Sequence, residues 1–537
     1  MSHLLAAAGV LAAAGASAAA ILLPPGRLRS LAMLAAIGLF PILILGDQWH
    51  THQIVDLRHD DGRIAALLLA GAAVTAALAY LFRRWPTLLP LAIVAALPFR
   101  VPLHAGGDTA NLLVPLYLVI AGGVVATAIR DWTQRLAGPV AAASPTVLGC
   151  SASSAPRGTP ATTPPARGAA AWLPRVLAAV VVLYAVQTLY SEDFSKGLQN
   201  VCFFLVPFTV AYGLLQRIEW DRRLLKLVLC VVAVEAVAFV LIGSVEYVSR
   251  NLFWNSQVIR SNEFHTYFRV NSVFWDPNIY GRYLALVIVV VTAALLWARE
   301  RSSFWLLTGL VAVLWIGLVP TFSQSSFIAL LAGLAVLAAL RWSLKWTLVA
   351  VAVGVVGAVL VVTLVGGSGK INFSRVNIDT SGRANLVSGG IDLFGERPVW
   401  GYGSGSFQTA YRDHRTDENV PVTISHTEPV TVAAEQGLIG LLAYLALLAV
   451  ALWTMATGIL GSPGGGAEGG SENGASLPRP QDPPSAPPAA RPAVLAAFVA
   501  LLVHTMAYAG FFEDPIAWVL LAVGASLAAA PAIRDAP

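Results

Sequence analysis

Charge is scarce in this 537-residue sequence. Only 12% of its residues are Asp, Glu, Lys or Arg, while 57% are hydrophobic, a balance that excludes a soluble globular protein. Cysteine is nearly missing as well. Cys150, Cys202 and Cys230 are an odd number with no motif spacing, so packing is their expected role and no disulfide is implied. There is no glycine-rich phosphate loop of the GxxxxGK[ST] type, and no internal repeat stands out. The first apolar run, 4–23, has no Lys or Arg before it, so it lacks the charged start of a cleaved secretory signal and is expected to be a retained helix.

What the chain has in quantity is apolar runs. About fifteen approach the length of a bilayer-crossing helix, roughly 17–25 residues, which predicts an all-α polytopic membrane helix bundle of about 12–15 spans. Two segments, 131–171 and 458–492, are dense in Pro, Ala, Gly and Ser and are expected to be disordered linkers. The first divides an N-terminal group of spans, 1–130, from a core over 172–530. Basic residues such as Arg83 and Arg84, Arg217, Arg222, Arg223 and Lys226, and Arg341 and Lys345 fall in alternate loops. Those loops should be cytoplasmic, with both linkers among them. The other set carries acids, including Glu192, Asp193, Glu513 and Asp514, and contains the long segment 366–429, which should face outward. The formal charge of +5 is then a topology signal, and nucleic acid is not an expected partner.

That long outer segment holds the densest polar chemistry. Leu386, Val387, Ile391 and Phe394 suggest one apolar face of an amphipathic helix, ended by Pro398 and the glycines Gly401, Gly403 and Gly405. A small helical lid over the membrane is expected. The cytoplasmic loops are too short or too disordered to fold around a nucleotide donor, so a synthetic reaction would have to use an activated lipid on the outer side. A lipid diphosphate suits arginine, whose planar cation pairs phosphate oxygens through two parallel hydrogen bonds.

Six motifs follow in order: Arg269 to Asn278 with Arg282 one turn further on, Thr321 to Ser326, Ser381-Gly382-Arg383, Arg397 to Gly403, Ser425-His426-Thr427-Glu428, and Glu435 to Gly440. The series resembles the O-antigen ligase and polymerase superfamily over roughly 172–530. The resemblance implies a metal-independent, inverting membrane glycosyltransferase of C-type architecture, multi-pass in a bacterial cell membrane and without a cofactor. It would move a glycan from an undecaprenyl-diphosphate carrier to a hydroxyl on a lipid, a glycan or a protein. By motif, Arg269 and Arg383 would hold the diphosphate and His426 would be the base. Arg282, Arg397, Asn278, Glu428 and Glu435 are candidate substrate-binding residues. Two positions depart from the family pattern: Gln324 stands where many relatives carry Arg, and Thr427 where Asn is usual.

Plainer readings sit beside these. Arginines near a membrane surface also pair with headgroups or acids, and a histidine beside a helix start can be structural. Glu235, apparently mid-membrane, is expected to be protonated and bonded to a neighbouring helix. His50, His52 and His59 have ligand chemistry but no recognisable metal spacing. Two other function classes remain open: a metal-dependent glycosyltransferase using Asp56, Asp60 and Asp61, and an anion transporter.

Overall fold

The computed structural model describes residues 3–49, 61–105, 108–133, 168–253, 255–264, 267–353, 383–414, 425–457, 459 and 487–529. The protein is a polytopic helix bundle, as its composition requires. Inside a bilayer every backbone N–H and C=O must be satisfied within the protein, and the helix does this along a single segment. Among the described residues, eleven helices are long and apolar enough to cross a membrane. Three shorter apolar helices, Leu344–Val353, Ala490–Thr505 and Pro515–Ala529, add to them.

The apolar run at 86–99 does not become a span. Its helix runs only Leu88–Ala96, nine residues, about 14 Å at 1.5 Å per residue. Pro86 and Pro98 bracket it, and a proline disfavours helical geometry in the residue before it. A two-stranded antiparallel hairpin, Val101–Ala105 with Asp108–Leu112, follows as a small exception to the all-helical design. Much of each linker, 134–167 and 460–486, lies outside the described residues, as does 354–382 at the start of the outer segment.

One hydrophobic core runs through the bundle from Ala6 to Leu527. Helices His3–Leu22 and Ala169–Thr188 pack together, and the latter also packs on Glu428–Thr457. Lipid-type surface remains on the periphery, where Leu67, Leu68 and Leu69 are exposed on one outer helix. Cys202 is buried and Cys230 exposed, both as free thiols. Glu235 accepts a hydrogen bond from the Tyr283 hydroxyl on the neighbouring helix at 3.2 Å.

The segments that the charge pattern assigns to the outer side meet at one end of the bundle. Tyr190 donates to Trp400 O at 2.7 Å, Val270 N–H to Pro320 O at 3.2 Å, and the Thr427 hydroxyl to Met506 O at 3.0 Å. The lid is helical. Helix Arg383–Glu396 buries Leu386 and Leu393 against helix Phe407–His414 and the start of Glu428–Thr457. The buried face differs from the expected one: Ile391 is 56% exposed, whereas Leu393 is 2% exposed. Gly389 and Gly390 complete that face, where any side chain would collide with Tyr411 and Val430.

Candidate active site

Three buried glutamates build the frame of this end of the bundle. Glu246 accepts the backbone N–H groups of Asn271 and Ser272 at 3.2 and 2.7 Å. Glu428 accepts those of Gly510 and Phe511 at 2.6 and 3.1 Å. Glu435 accepts those of Gly405 and Phe407 at 2.8 and 3.1 Å. Each carboxyl thus satisfies at least two main-chain donors that burial would otherwise leave costly, Glu246 also accepting from Phe253 N–H at 3.4 Å. Glu428 and Glu435 are therefore loop anchors, with Glu435 using both of its oxygens.

The loop held by Glu435 is docked by main chain as well. Helix Glu428–Thr457 is interrupted at Gly437, which adopts φ 63° and ψ −164°. The break leaves carbonyls and an N–H without helical partners, and the segment from Pro398 onward takes them up. Tyr402 N–H donates to Ala434 O at 3.2 Å, Gly403 N–H to Glu435 O at 2.7 Å, and Leu438 N–H to Pro398 O at 2.7 Å. Gln187 Nε2 caps Gln436 O at 3.0 Å. Gly437 is required twice, by its positive φ and because a Cβ there would strike Val399 O.

Arg269 sits in the loop held by Glu246. Its Nε donates to Thr321 O at 2.9 Å and its Nη2 to Asn278 Oδ1 at 3.1 Å. Two of the sequence candidates, Arg269 and Asn278, are thereby in direct contact. Asn278 is the second residue of helix Pro277–Leu296, whose N-cap Asp276 accepts from Asn278 N–H at 2.6 Å. From Asn278 a chain of hydroxyls leads inward. Ser326 Oγ donates to Asn278 O at 3.4 Å; Ser323 Oγ lies 2.8 Å from Ser326 Oγ and 3.2 Å from Ser325 Oγ; Ser325 Oγ lies 3.2 Å from His504 Nε2. All three serines and His504 are buried.

His426 approaches this chain through Tyr508. The Tyr508 ring lies 6.2 Å from the His426 ring and 5.8 Å from the His504 ring, centroid to centroid. Burial, with Asp276 adding to it and Arg282 opposing, pushes the Tyr508 hydroxyl well above its ordinary range, so it stays protonated. His426 itself adopts φ 62°, a left-handed conformation that costs an L-residue roughly 1–2 kcal/mol. Its neighbours hold it there: Ser425 Oγ donates to Thr427 O at 2.8 Å and lies 2.7 Å from Thr431 Oγ1. Strain kept in place by surrounding bonds is characteristic of functional positions.

The remaining arginines divide. Arg282 forms an ion pair with Asp514 at 3.0 Å, with side-chain exposures of 5% and 3%. Together with Glu428 it fixes the 510–514 turn from both ends. Arg397 is half exposed, pairs with Glu192 at 2.8 Å and lies over the Tyr402 ring at 4.1 Å, so it fastens the lid and is not gathered with the others. Tyr402 in turn donates to Glu396 at 2.5 Å; burial and that bond push its hydroxyl up to about 12. Arg383 is the first residue of the lid helix, and its side chain lies outside the described residues, as do Ser381 and Gly382.

Residues 309–445 match the O-antigen ligase family. This is the family that the motif series resembles, and the matched segment, about a quarter of the chain, contains the serine turn, the lid, His426 and the break at Gly437. Arg269, Asn278 and Arg282 precede the O-antigen ligase segment; His504, Tyr508 and Asp514 follow it. The candidate site thus also draws on residues from outside the match. No curated protein matches the chain. Among the described residues, no three His, Cys, Asp or Glu side chains are grouped so as to hold a metal ion; Asp56 and Asp60 lie outside them, and so does the side chain of Asp61.

Glu246 and the Ser325–His504 contact were not singled out from sequence. An acid in a membrane helix is a signal that was available for Glu246, one turn from the helix end and beside a polar loop. Ser325 and His504 are 179 positions apart, and no spacing rule joins them.

Proposed function

We propose that the protein is a membrane glycosyltransferase, moving a glycan from an undecaprenyl-diphosphate carrier to a hydroxyl acceptor on the outer face of a bacterial cell membrane. The observation that supports this best is the convergence, at one end of the bundle, of Arg269 with Asn278 and the serine turn, and of His426 with Tyr508. The O-antigen ligase match supports the glycan-transfer class.

In this reading Arg269 and Arg383 clamp the diphosphate, the latter assigned by its motif alone. The acceptor oxygen attacks the anomeric carbon as the bond from that carbon to the phosphate oxygen breaks. The diphosphate leaves with the bonding pair, and the acceptor proton passes to a ring nitrogen of His426. Attack opposite the leaving group inverts the anomeric centre. A diphosphate is a good leaving group already, so fixed cations that meet its growing charge matter more than a general acid. Arginine supplies that charge without a metal ion.

The test is the carrier-linked glycan pool and surface polysaccharide of a deletion strain. Polymer stranded on the carrier identifies ligation and single repeat units identify polymerisation. An unchanged pool and an unchanged surface glycan overturn the reading.

A further inference from the structure

A second polar feature lies beside the start of helix Glu428–Thr457. A cavity of ≈ 70 Å³ sits beneath the Gly405–Phe407 turn. Tyr184, Phe204, Phe407 and Phe512 line it, and so do the carboxylates of Glu428, Glu435 and Glu513. Lys196 is the cation in the lining. Asn200 also lines the cavity, 8% exposed, with its Nδ2 spent on the Tyr184 hydroxyl at 3.0 Å and its Oδ1 buried without a hydrogen-bond partner. A buried acceptor in that state is costly unless a ligand or water supplies the donor.

The lining has a distinct chemistry. It is rich in acceptors, since carboxyl and amide oxygens accept hydrogen bonds, and it is walled by aromatic rings. A sugar ring presents the matching surfaces: hydroxyls that donate at its edge and apolar C–H groups on its faces. Three acidic side chains, Glu513 with Glu428 and Glu435, against the one Lys196 also set a sign, because they disfavour a negatively charged guest.

We propose that this cavity is a saccharide subsite that takes the hydroxyl-bearing edge of one neutral or amino sugar ring and rejects acidic sugars. It rests on the glycan-transfer reading for its place in a reaction, though not for its binding chemistry. Glu513 is the residue that tests it. Glu428 and Glu435 hold loops, so replacing either disturbs the frame, whereas among the described residues Glu513 anchors no backbone amide.

The experiment uses the full chain in lipid nanodiscs and two probes, a neutral N-acetylhexosamine trisaccharide and a uronic acid trisaccharide, with binding read by ligand-observed NMR. The wild type should bind the neutral probe at least about tenfold more tightly than the acidic one. Glu513→Gln should weaken the neutral probe and narrow that gap, and Glu513→Lys should favour the uronic acid probe. An unchanged melting temperature shows that each variant is folded. Equal affinity for both probes in the wild type, no binding of either, or selectivity untouched in both variants overturns the subsite. Transfer from a lipid-linked donor is scored separately. Selective binding without transfer rejects the transfer reading alone, and transfer without selectivity rejects the subsite alone.

Discussion

Ser325 Oγ lies 3.2 Å from His504 Nε2 in the buried interior, joining a turn within the O-antigen ligase segment to a helix beyond it. Ser325→Ala removes one partner from a buried histidine and should cost about 1–3 kcal/mol. Thermal unfolding in detergent measures this directly. His504→Gln, which keeps a polar group able to reach the serine, should be better tolerated than His504→Leu.

Glu435 supplies the clearest test of lid docking. Glu435→Gln keeps the shape but turns one of two acceptors into a donor facing a backbone N–H, again at about 1–3 kcal/mol. Faster hydrogen exchange at 401–407, with the far ends of the helices unaffected, is the expected result. Uniform destabilisation of the whole bundle would count against a local anchoring role.

His426→Ala should leave binding of a lipid-linked donor nearly intact and slow transfer by about 10²–10⁴. In the wild type, the rate should fall toward acidic pH, because protonation removes the base. That acidic limb should be missing from the residual activity of the variant. Full transfer by His426→Ala would remove the base from the mechanism.

Arg282 and Asp514 form a buried pair whose halves depend on each other. Arg282→Met alone leaves an uncompensated carboxylate and should destabilise by about 3–5 kcal/mol. The double variant Arg282→Met, Asp514→Leu should recover most of that loss. If its transfer rate also recovers, Arg282 acts only through the fold; a stable but inactive double variant would assign it to the donor.

Metal independence has its own measurement. Purified protein should keep its transfer rate in excess chelator, since arginine is assigned the charge that a divalent ion supplies elsewhere. Activity restored only by magnesium or manganese would move support to the metal-dependent class.

The sequence made the bundle legible because membrane helices announce themselves by length and apolarity, and it failed where proline shortened a run, as at 86–99. In the lid, the helix was legible but its face was misassigned. Leu386 and Leu393 are one heptad apart, and the residues between them on that face, Gly389 and Gly390, have no side chain to advertise burial. Within the site, Arg269, Asn278 and His426 could be found because each lies in a short motif. The contacts that support them could not. The Glu246 anchor and the Ser325–His504 contact form only when distant helices pack, and the backbone partners of Glu428 and Glu435 are visible only in the fold.

The interruption at Gly437 also bears on how freely this protein can change its substrate. A lid attached through side chains would lose its seat whenever those residues altered. Here the seat of 398–403 is made largely by peptide groups, present whatever side chains that segment carries, with the Glu435 carboxyl and the Arg397–Glu192 pair adding to it. Outward-facing positions such as Val399 and Trp400, 49% and 61% exposed, are consequently open to replacement while the seat stays fixed. New specificities can be sampled at the rim without reopening the question of where the rim sits.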